Sequence, residues 1–302
     1  MIKTLSFRTH KIAEYISWTY FFHAWGIPAK FATIANVHDC QACISSWIES
    51  FNTSEDRLKA KEAANLYKDA VEILNVVDGK LDYKGRFGIF EANSNGDDIW
   101  VYREKDIVSI PCLRQQYRLS TNEECLCLAD FIMPSEMGKR DKIAVFVSSN
   151  AKEMEGLYPS DNYKHLLCQT LSDRLAEAGT ELMHTLIRRN YWGYAPKENL
   201  STSDILRGKY QGIRPAVGYP SLPDQSVIFI LDKLIDFSKI GVTITETGAM
   251  NPHASTCGLI FAHPQARYFN VGPIGKDQLS DYSFRRNISI EQAKDFLSAN
   301  IV

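Results

Sequence analysis

The segment YQGIRPAVGYPSLPD, residues 210–224, combines three prolines, two glycines, two tyrosines and one arginine. Pro215 fixes the backbone angle φ and removes an amide donor, and Gly218 permits a positive φ and a close backbone approach. Arg214 carries a planar guanidinium that suits a carboxylate, and Tyr219 offers a ring face for stacking. These properties favour a rigid loop that presents oriented groups to a flat polar ligand. Composition alone slightly favours the alternative, a structural turn in which Arg214 is tied to a nearby acid.

Two carboxylates on a predicted helix form a second candidate site. The apolar spacing over residues 163–189 predicts a long helix with a leucine-rich stripe. Asp173 and Glu177 lie four residues apart, so they share one face of that helix, opposite the stripe. The pattern by itself favours a solvated helix face over a ligand site.

The remaining elements predict an α+β fold with a twisted antiparallel or mixed sheet and flanking helices. Helices and strands are interspersed without a βαβ rhythm, and several strands are joined by short turns. No linker divides the chain, so we expect one domain over residues 1–302. The predicted elements are a helix at 55–77, a hairpin at 86–104 turning at Asn95 and Gly96, strands at 142–149, 242–247, 257–262 and 267–271, and a last helix that begins with Ser289 and Gln292 as a capping box.

Composition excludes several classes of protein. The net charge of −2 predicts no nucleic-acid or membrane partner, and no stretch is long and apolar enough to span a bilayer. The N-terminus carries charge throughout, which argues against a signal peptide. Seven cysteines, an odd number, indicate reduced thiols and a cytoplasmic location.

The cysteine and histidine spacings favour no metal site. Cys40 and Cys43 form a CxxC pair, and Cys125 and Cys127 form a CxC pair. Zinc would require four ligands within reach, so we expect buried thiols and no bound metal. The histidines show no HExxH spacing, and no GxGxxG follows a strand, which disfavours a Rossmann-type methyltransferase.

Longer motifs carry a family resemblance. The chain resembles the activation domain of cobalamin-dependent methionine synthases, which binds S-adenosylmethionine, and the resemblance runs from Tyr15 to the last helix. The motifs that carry it are RxxxGYP after YWGYAPKENLS, TETGAMNPHASTCGLIFAHPQARYF, KDQLSDYSFRR, GDDIWVYR, LRQQ, CLADFI and YISWTYFFHAWGI. The fold implied by the resemblance is a single α+β activation domain built on a twisted antiparallel sheet.

The resemblance also implies roles for the loop. Arg214 is expected to bind the carboxylate of S-adenosylmethionine, and the backbone around Pro215 and Ala216 is expected to read the adenine. Gly218 and Tyr219 are expected to border the corrinoid.

Further positions match family residues outside the loop. Glu177 and Tyr268 are expected at the S-adenosylmethionine pocket, and Asp173 is expected to receive the histidine released from cobalt. A carboxylate can accept a hydrogen bond from that freed imidazole. Ser17 stands where the family usually has an aspartate at the pocket, and Gly208 stands where a glutamate is common. Both departures predict a weaker pocket.

The implied function is repair of inactive cob(II)alamin. One electron from a flavodoxin-type donor reduces the cobalt, and the methyl group of S-adenosylmethionine then regenerates methylcobalamin. The chain lacks the corrinoid-binding DxHxxG pattern and begins near the expected start of the domain. We therefore expect a free-standing domain that acts in trans on a partner carrying cobalamin. The alternative is a degenerate module that docks a corrinoid protein or flavodoxin and no longer binds S-adenosylmethionine.

Overall fold

An antiparallel sheet forms the centre of the structure, a computed structural model that describes residues 1–118 and 124–301. Its strands follow the order β4-β3-β2-β5-β8, and β1 pairs with the start of β2. β6 and β7 form a separate two-stranded hairpin. The strands are β1 (Ile2–Arg8), β2 (Asp82–Asn95), β3 (Asp98–Tyr102), β4 (Ile107–Pro111), β5 (Asp141–Ser149), β6 (Thr243–Ile244), β7 (Met250–Asn251) and β8 (Ser255–Ile260).

Helices cover both faces of this sheet. On one face, α5 packs on β2, β5 and β8, and α1, α2 and α4 pack against α5. On the other face, α7 packs on the same three strands. Alternate residues of β5 confirm the two faces, because Phe146 packs with Met183 of α5 and Val145 packs with Leu231 of α7. The helices are α1 (Thr9–Ala13), α2 (Trp18–Ala24), α3 (Gln41–Glu49), α4 (Ser54–Val77), α5 (Asn162–Leu186), α6 (Thr202–Leu206), α7 (Ile228–Ile235), α8 (Lys276–Arg286) and α9 (Ile290–Phe296). Within residues 1–118 and 124–301, no helix has the length and apolar character needed to cross a membrane.

Most predicted elements appear where the periodicity placed them. The hairpin turns between β2 and β3 at Gly96, whose φ is 58°. The long helix ends at Leu186 and continues as one π-helical turn, Ile187–Tyr191. The last helix has the expected capping box of Ser289 and Gln292. The predicted α+β class with an antiparallel sheet is thereby confirmed.

Two strand predictions near the C-terminus were wrong. The strand expected at 267–271 is irregular because its amide donors bond to the loop at 210–224: the N–H of Phe269 donates to Ser221 Oγ (3.1 Å) and that of Val271 to the carbonyl of Pro220 (3.0 Å). The strand expected at 242–247 is only two residues long, since the chain turns at once to form the β6–β7 hairpin.

Several family motifs meet in one ion-pair network outside the loop. Arg114 of LRQQ donates to Asp97 of GDDIWVYR (2.7 Å) and to Asp130 of CLADFI (2.6 Å). Arg285, near the end of α8, pairs with Asp98 of the same hairpin. The network therefore holds α8 against the edge of the sheet, and these motifs have a structural role.

Candidate functional site

Half of the loop at 210–224 runs along the free edge of β8. Ile213 exchanges backbone hydrogen bonds with Phe261, and the carbonyl of Pro215 accepts the N–H of Leu259 (3.0 Å). A proline is tolerated there because an edge strand leaves one side of its backbone unpaired. Ile213 and Val217 point into the core, and Arg214 points to the opposite side with period-two alternation. The sheet thus fixes the direction of the arginine.

The second half of the loop is a tight turn. Gly218 has a φ of 84°, and its N–H donates to the carbonyl of Leu222 (2.9 Å). The backbone angle therefore favours glycine, and a Cβ here would also displace the end of the Gln225 side chain, whose Oε1 would lie 2.6 Å away. The turn leaves Tyr219 57% exposed.

The loop, α5 and the N-terminal helices enclose a cavity of about 740 Å³, which is within the usual range for small-molecule sites. Its residues come from the start of α2 and the segment before it, α5, α6, the loop and the segment after β8. They are Tyr15, Ser17, Tyr20, Arg174, Glu177, Glu181, Leu206, Arg214, Pro215, Ala216, Tyr219, Pro220, Ser221, Tyr268, Phe269 and Asn270.

The structure therefore brings together seven of the eight binding residues predicted from the sequence: Ser17, Glu177, Arg214, Pro215, Ala216, Tyr219 and Tyr268. Gly218 supports the turn beside them but does not line the cavity. Tyr268 also orders the loop, because its hydroxyl accepts the N–H of Arg214 at 2.9 Å.

Arg214 is both a cavity residue and one half of a buried ion pair. Its Nη2 lies 2.6 Å from Oε1 of Glu181, with side chains 8% and 15% exposed. Burial lowers the pKa of the guanidinium, but the carboxylates of Glu181 and Glu177 outweigh it and raise that pKa above its ordinary value. The arginine is therefore charged at any physiological pH. Arg214 therefore agrees with both interpretations of the sequence, because it is tied to a nearby acid and also lines the cavity.

Two buried polar atoms of this pair lack partners. Nε of Arg214 and Oε2 of Glu181 make no hydrogen bond within the described part of the chain. An unsatisfied buried polar atom costs about 1–3 kcal/mol, which a polar ligand at the pair would recover. The pair is thus suited to a ligand that has both a carboxylate and a cationic group.

Asp173 lies on the same face of α5 as Glu177 but outside the cavity lining. It is half-buried, and burial raises the pKa of its carboxyl, opposed by the nearby His253 and Arg174. The solvated helix face that the pattern favoured is therefore only partly present.

The cysteine prediction was wrong for one pair. Cys127 is buried and Cys125 half-buried, but Cys40 and Cys43 are exposed. Cys40 is the N-cap of α3, and hydrogen bonds from Cys43 lead the interactions that lower the pKa of its thiol to about 7. These two thiols are exposed, and α3 packs on the rest of the chain through Ile44, Trp47 and Ile48 instead.

Comparison with known proteins identifies the family. The family described as "Vitamin B12 dependent methionine synthase, activation domain" matches residues 8–287. The chain belongs to this family. A solved structure described as "Crystal Structure of the MetH Reactivation Domain bound to AdoHcy" shares 33% sequence identity and a TM-score of 0.86, over 100% of this chain and 90% of that one. The resemblance found in the motifs is confirmed.

Two charged residues of this activation domain were missed from the sequence. Glu181 follows Glu177 by four residues, as Glu177 follows Asp173, so extending the same spacing by one turn would have found it. Arg174 directly follows Asp173 and also lines the cavity. It lies close enough to Asp173 to oppose the rise in the pKa of that carboxyl.

Proposed function

We propose that this activation domain binds S-adenosylmethionine in the cavity and supports methylation of cobalamin carried by a separate methionine synthase. The observation that carries the proposal is the convergence of Arg214, Glu177 and Glu181 with the family loop in one cavity of suitable size. The AdoHcy bound to the similar reactivation domain supports it, since AdoHcy is what S-adenosylmethionine becomes after methyl transfer. The proposal treats residues 1–302 as one domain acting in trans.

Charge explains how each end of the ligand would be held. S-adenosylmethionine has an amino-acid end with a carboxylate and an ammonium, and a sulfonium between that end and the adenosine. Arg214 and Arg174 supply positive charge for the carboxylate, and Glu177 and Glu181 supply negative charge for the cationic groups. The backbone at Pro215 and Ala216 would face the adenine. Tyr268 closes the side of the cavity next to Arg214.

The chain's own contribution to the reaction is positioning. When bound, S-adenosylmethionine supplies the methyl group, and a flavodoxin-type donor supplies the electron that prepares the partner's cobalt. The cavity residues would hold the sulfonium at the mouth, where the exposed ring of Tyr219 offers a face to the corrinoid. Asp173, outside the cavity and near His253, would accept the histidine released from cobalt. A cytosolic location belongs to the same proposal.

A second candidate function is that of a docking module that no longer binds S-adenosylmethionine. It is favoured by one observation: Ser17 lines the cavity at the position where the family usually has an aspartate. The cavity's two arginines and two glutamates cancel in formal charge, whereas the ligand has a single net positive charge. The missing carboxylate therefore removes charge complementarity that the family pocket has.

Isothermal titration of S-adenosylmethionine into the purified chain separates the two candidates. Saturable binding supports the first, and a following assay would measure recovery of activity when the chain, a reductant and S-adenosylmethionine are added to inactive cob(II)alamin-loaded methionine synthase. No heat up to millimolar ligand would reject the first candidate. Co-elution with a cobalamin-loaded methionine synthase fragment would then support the second.

Ser17→Asp should tighten S-adenosylmethionine binding by about tenfold or more, because a hydrogen bond to a charged group contributes about 1.5–3 kcal/mol. Ser17 is the N-cap residue of α2, and its side chain caps no backbone N–H, so the substitution removes no hydrogen bond there. Ser17→Asn is the matched control, with nearly the same shape and no charge. Equal affinity of the Asp and Asn variants would show that the position does not act through charge.

Gly208→Glu should restore much less affinity than Ser17→Asp and should destabilise the fold by about 1 kcal/mol. Gly208 follows the end of α6 and has a φ of 68°, which residues other than glycine rarely adopt. It does not line the cavity. Within residues 1–118 and 124–301, a Cβ at this position would have no neighbouring atom closer than 4 Å, so the loss of stability comes from the backbone angle. Gly208→Ala shares that cost without a carboxylate. Titration and urea unfolding measure both effects, and a gain matching Ser17→Asp would contradict this placement.

A further inference from the structure

A histidine and two cysteines converge in front of α3, away from the cavity. One ligand atom each of His38, Cys40 and Cys43 can be chosen so that all lie within 4.8 Å of one another. Both cysteines are exposed and free. None of the three residues lines the cavity proposed for S-adenosylmethionine. The cluster is therefore independent of the function proposed above.

Local backbone geometry accounts for the convergence. Cys40 is the N-cap of α3, and its Sγ accepts the N–H of Cys43 at 3.4 Å, which places the two sulfurs side by side on the first turn. His38 lies two residues before the cap, and its Nδ1 accepts the N–H of Cys40 at 3.2 Å. A cation at Nδ1 would use the same lone pair, so its binding would replace this hydrogen bond. The HxCxxC spacing thus brings three possible metal ligands together, and all three come from one short segment.

The donor set is that of a borderline-soft cation. Thiolates with imidazole are preferred by Zn²⁺, whereas Ca²⁺ and Mg²⁺ require oxygen ligands. The N-terminus of a helix stabilises negative charge on both sulfurs. Two thiolates and a neutral imidazole also balance the charge of a divalent ion. We propose that His38, Cys40 and Cys43 form a three-ligand Zn²⁺ site with water in the fourth position.

Such an ion would fix the start of α3. Ile44, Trp47 and Ile48 of α3 pack on the cluster that contains α4, but the residues that begin the first turn, 41–43, are exposed. Zinc would tie that turn to the residues before it. The expectation of no metal site from the sequence considered the CxxC pair without His38, which supplies the third ligand.

Cobalt titration tests the site directly. The full chain, freed of metal and kept reduced with a phosphine, is titrated with Co²⁺ and then with Zn²⁺. We expect thiolate-to-cobalt charge-transfer absorption that saturates at one equivalent and disappears when Zn²⁺ is added. Cys40→Ser and Cys43→Ser should each abolish the absorption, and His38→Asn should shift its d–d bands and weaken binding. Cys125→Ser is the control, a half-buried thiol of the CxC pair that should change nothing.

Three outcomes would overturn the proposal. One is the absence of charge-transfer absorption in reduced protein whose seven thiols all react with a thiol reagent once an aliquot is unfolded. Another is absorption that survives Cys40→Ser with Cys43→Ser. The third is a loss of absorption in the Cys125→Ser variant equal to that in the Cys40→Ser and Cys43→Ser variants. S-adenosylmethionine affinity of the Cys40→Ser variant should match that of the unmodified chain, so failure of this site and failure of the proposed function are separate results.

Discussion

Arg214→Ala is expected to weaken S-adenosylmethionine binding by about tenfold or more, since a hydrogen bond to a charged group contributes about 1.5–3 kcal/mol. The same change leaves Glu181 buried without its partner at 2.6 Å. Removing one member of a buried ion pair costs about 3–5 kcal/mol of stability. Binding must therefore be measured by calorimetry at a temperature where circular dichroism shows the variant folded.

Two further variants separate the loss of affinity from the loss of stability. Glu198→Gln breaks a second buried pair, Arg188 with Glu198 at 2.6 Å, which lies outside the cavity, and it should lower stability while leaving affinity unchanged. Arg214→Ala combined with Glu181→Gln removes both charges of the cavity pair, so stability should partly recover while binding stays weak. Unchanged titration curves for Arg214→Ala would remove this arginine from the site.

The loop at 210–224 shows what the sequence could predict. Its prolines and glycines indicate a rigid irregular segment because they restrict or extend the allowed backbone angles locally, and Gly218 has the positive φ that this reasoning requires. The bridges to β8 could not be predicted, since they depend on which strand lies at the edge of the sheet. The resemblance, in turn, named seven of the residues that line the cavity but not the ion pair within it.

The features that could not be predicted from the sequence depend on contacts between distant segments of the chain. Residues 267–271 have the composition of a strand, yet their donors bond to the loop, and no local pattern determines that choice. Glu181 looks like any helical glutamate until Arg214, 33 positions away, is placed beside it. The exposure of Cys40 was missed for a related reason, because thiols are usually buried and the sequence does not show which residues of α3 pack on the rest of the chain.

Asp224→Ala is expected to destabilise the chain by about 3–5 kcal/mol, because it leaves a buried arginine without its acid. Asp224 ends the loop and is almost wholly buried. It accepts hydrogen bonds from the hydroxyl of Tyr282 (2.6 Å) and from Nε of Arg286 (3.2 Å), both on α8. Urea unfolding followed by circular dichroism measures the change in unfolding free energy.

Asp281→Ala is the matched control, since Asp281 also pairs with an arginine of α8, Arg285 at 2.7 Å, but its side chain is 59% exposed. Exposed pairs contribute about 1 kcal/mol or less, so this variant should stay close to the parent. If both variants lose equal stability, burial of Asp224 is not what holds the loop to α8. If only Asp224→Ala is destabilised and it also binds S-adenosylmethionine more weakly while folded, the anchor at the loop's end helps to position Arg214 ten residues earlier. The ion pair between Asp224 and Arg286 would then support the cavity from outside it.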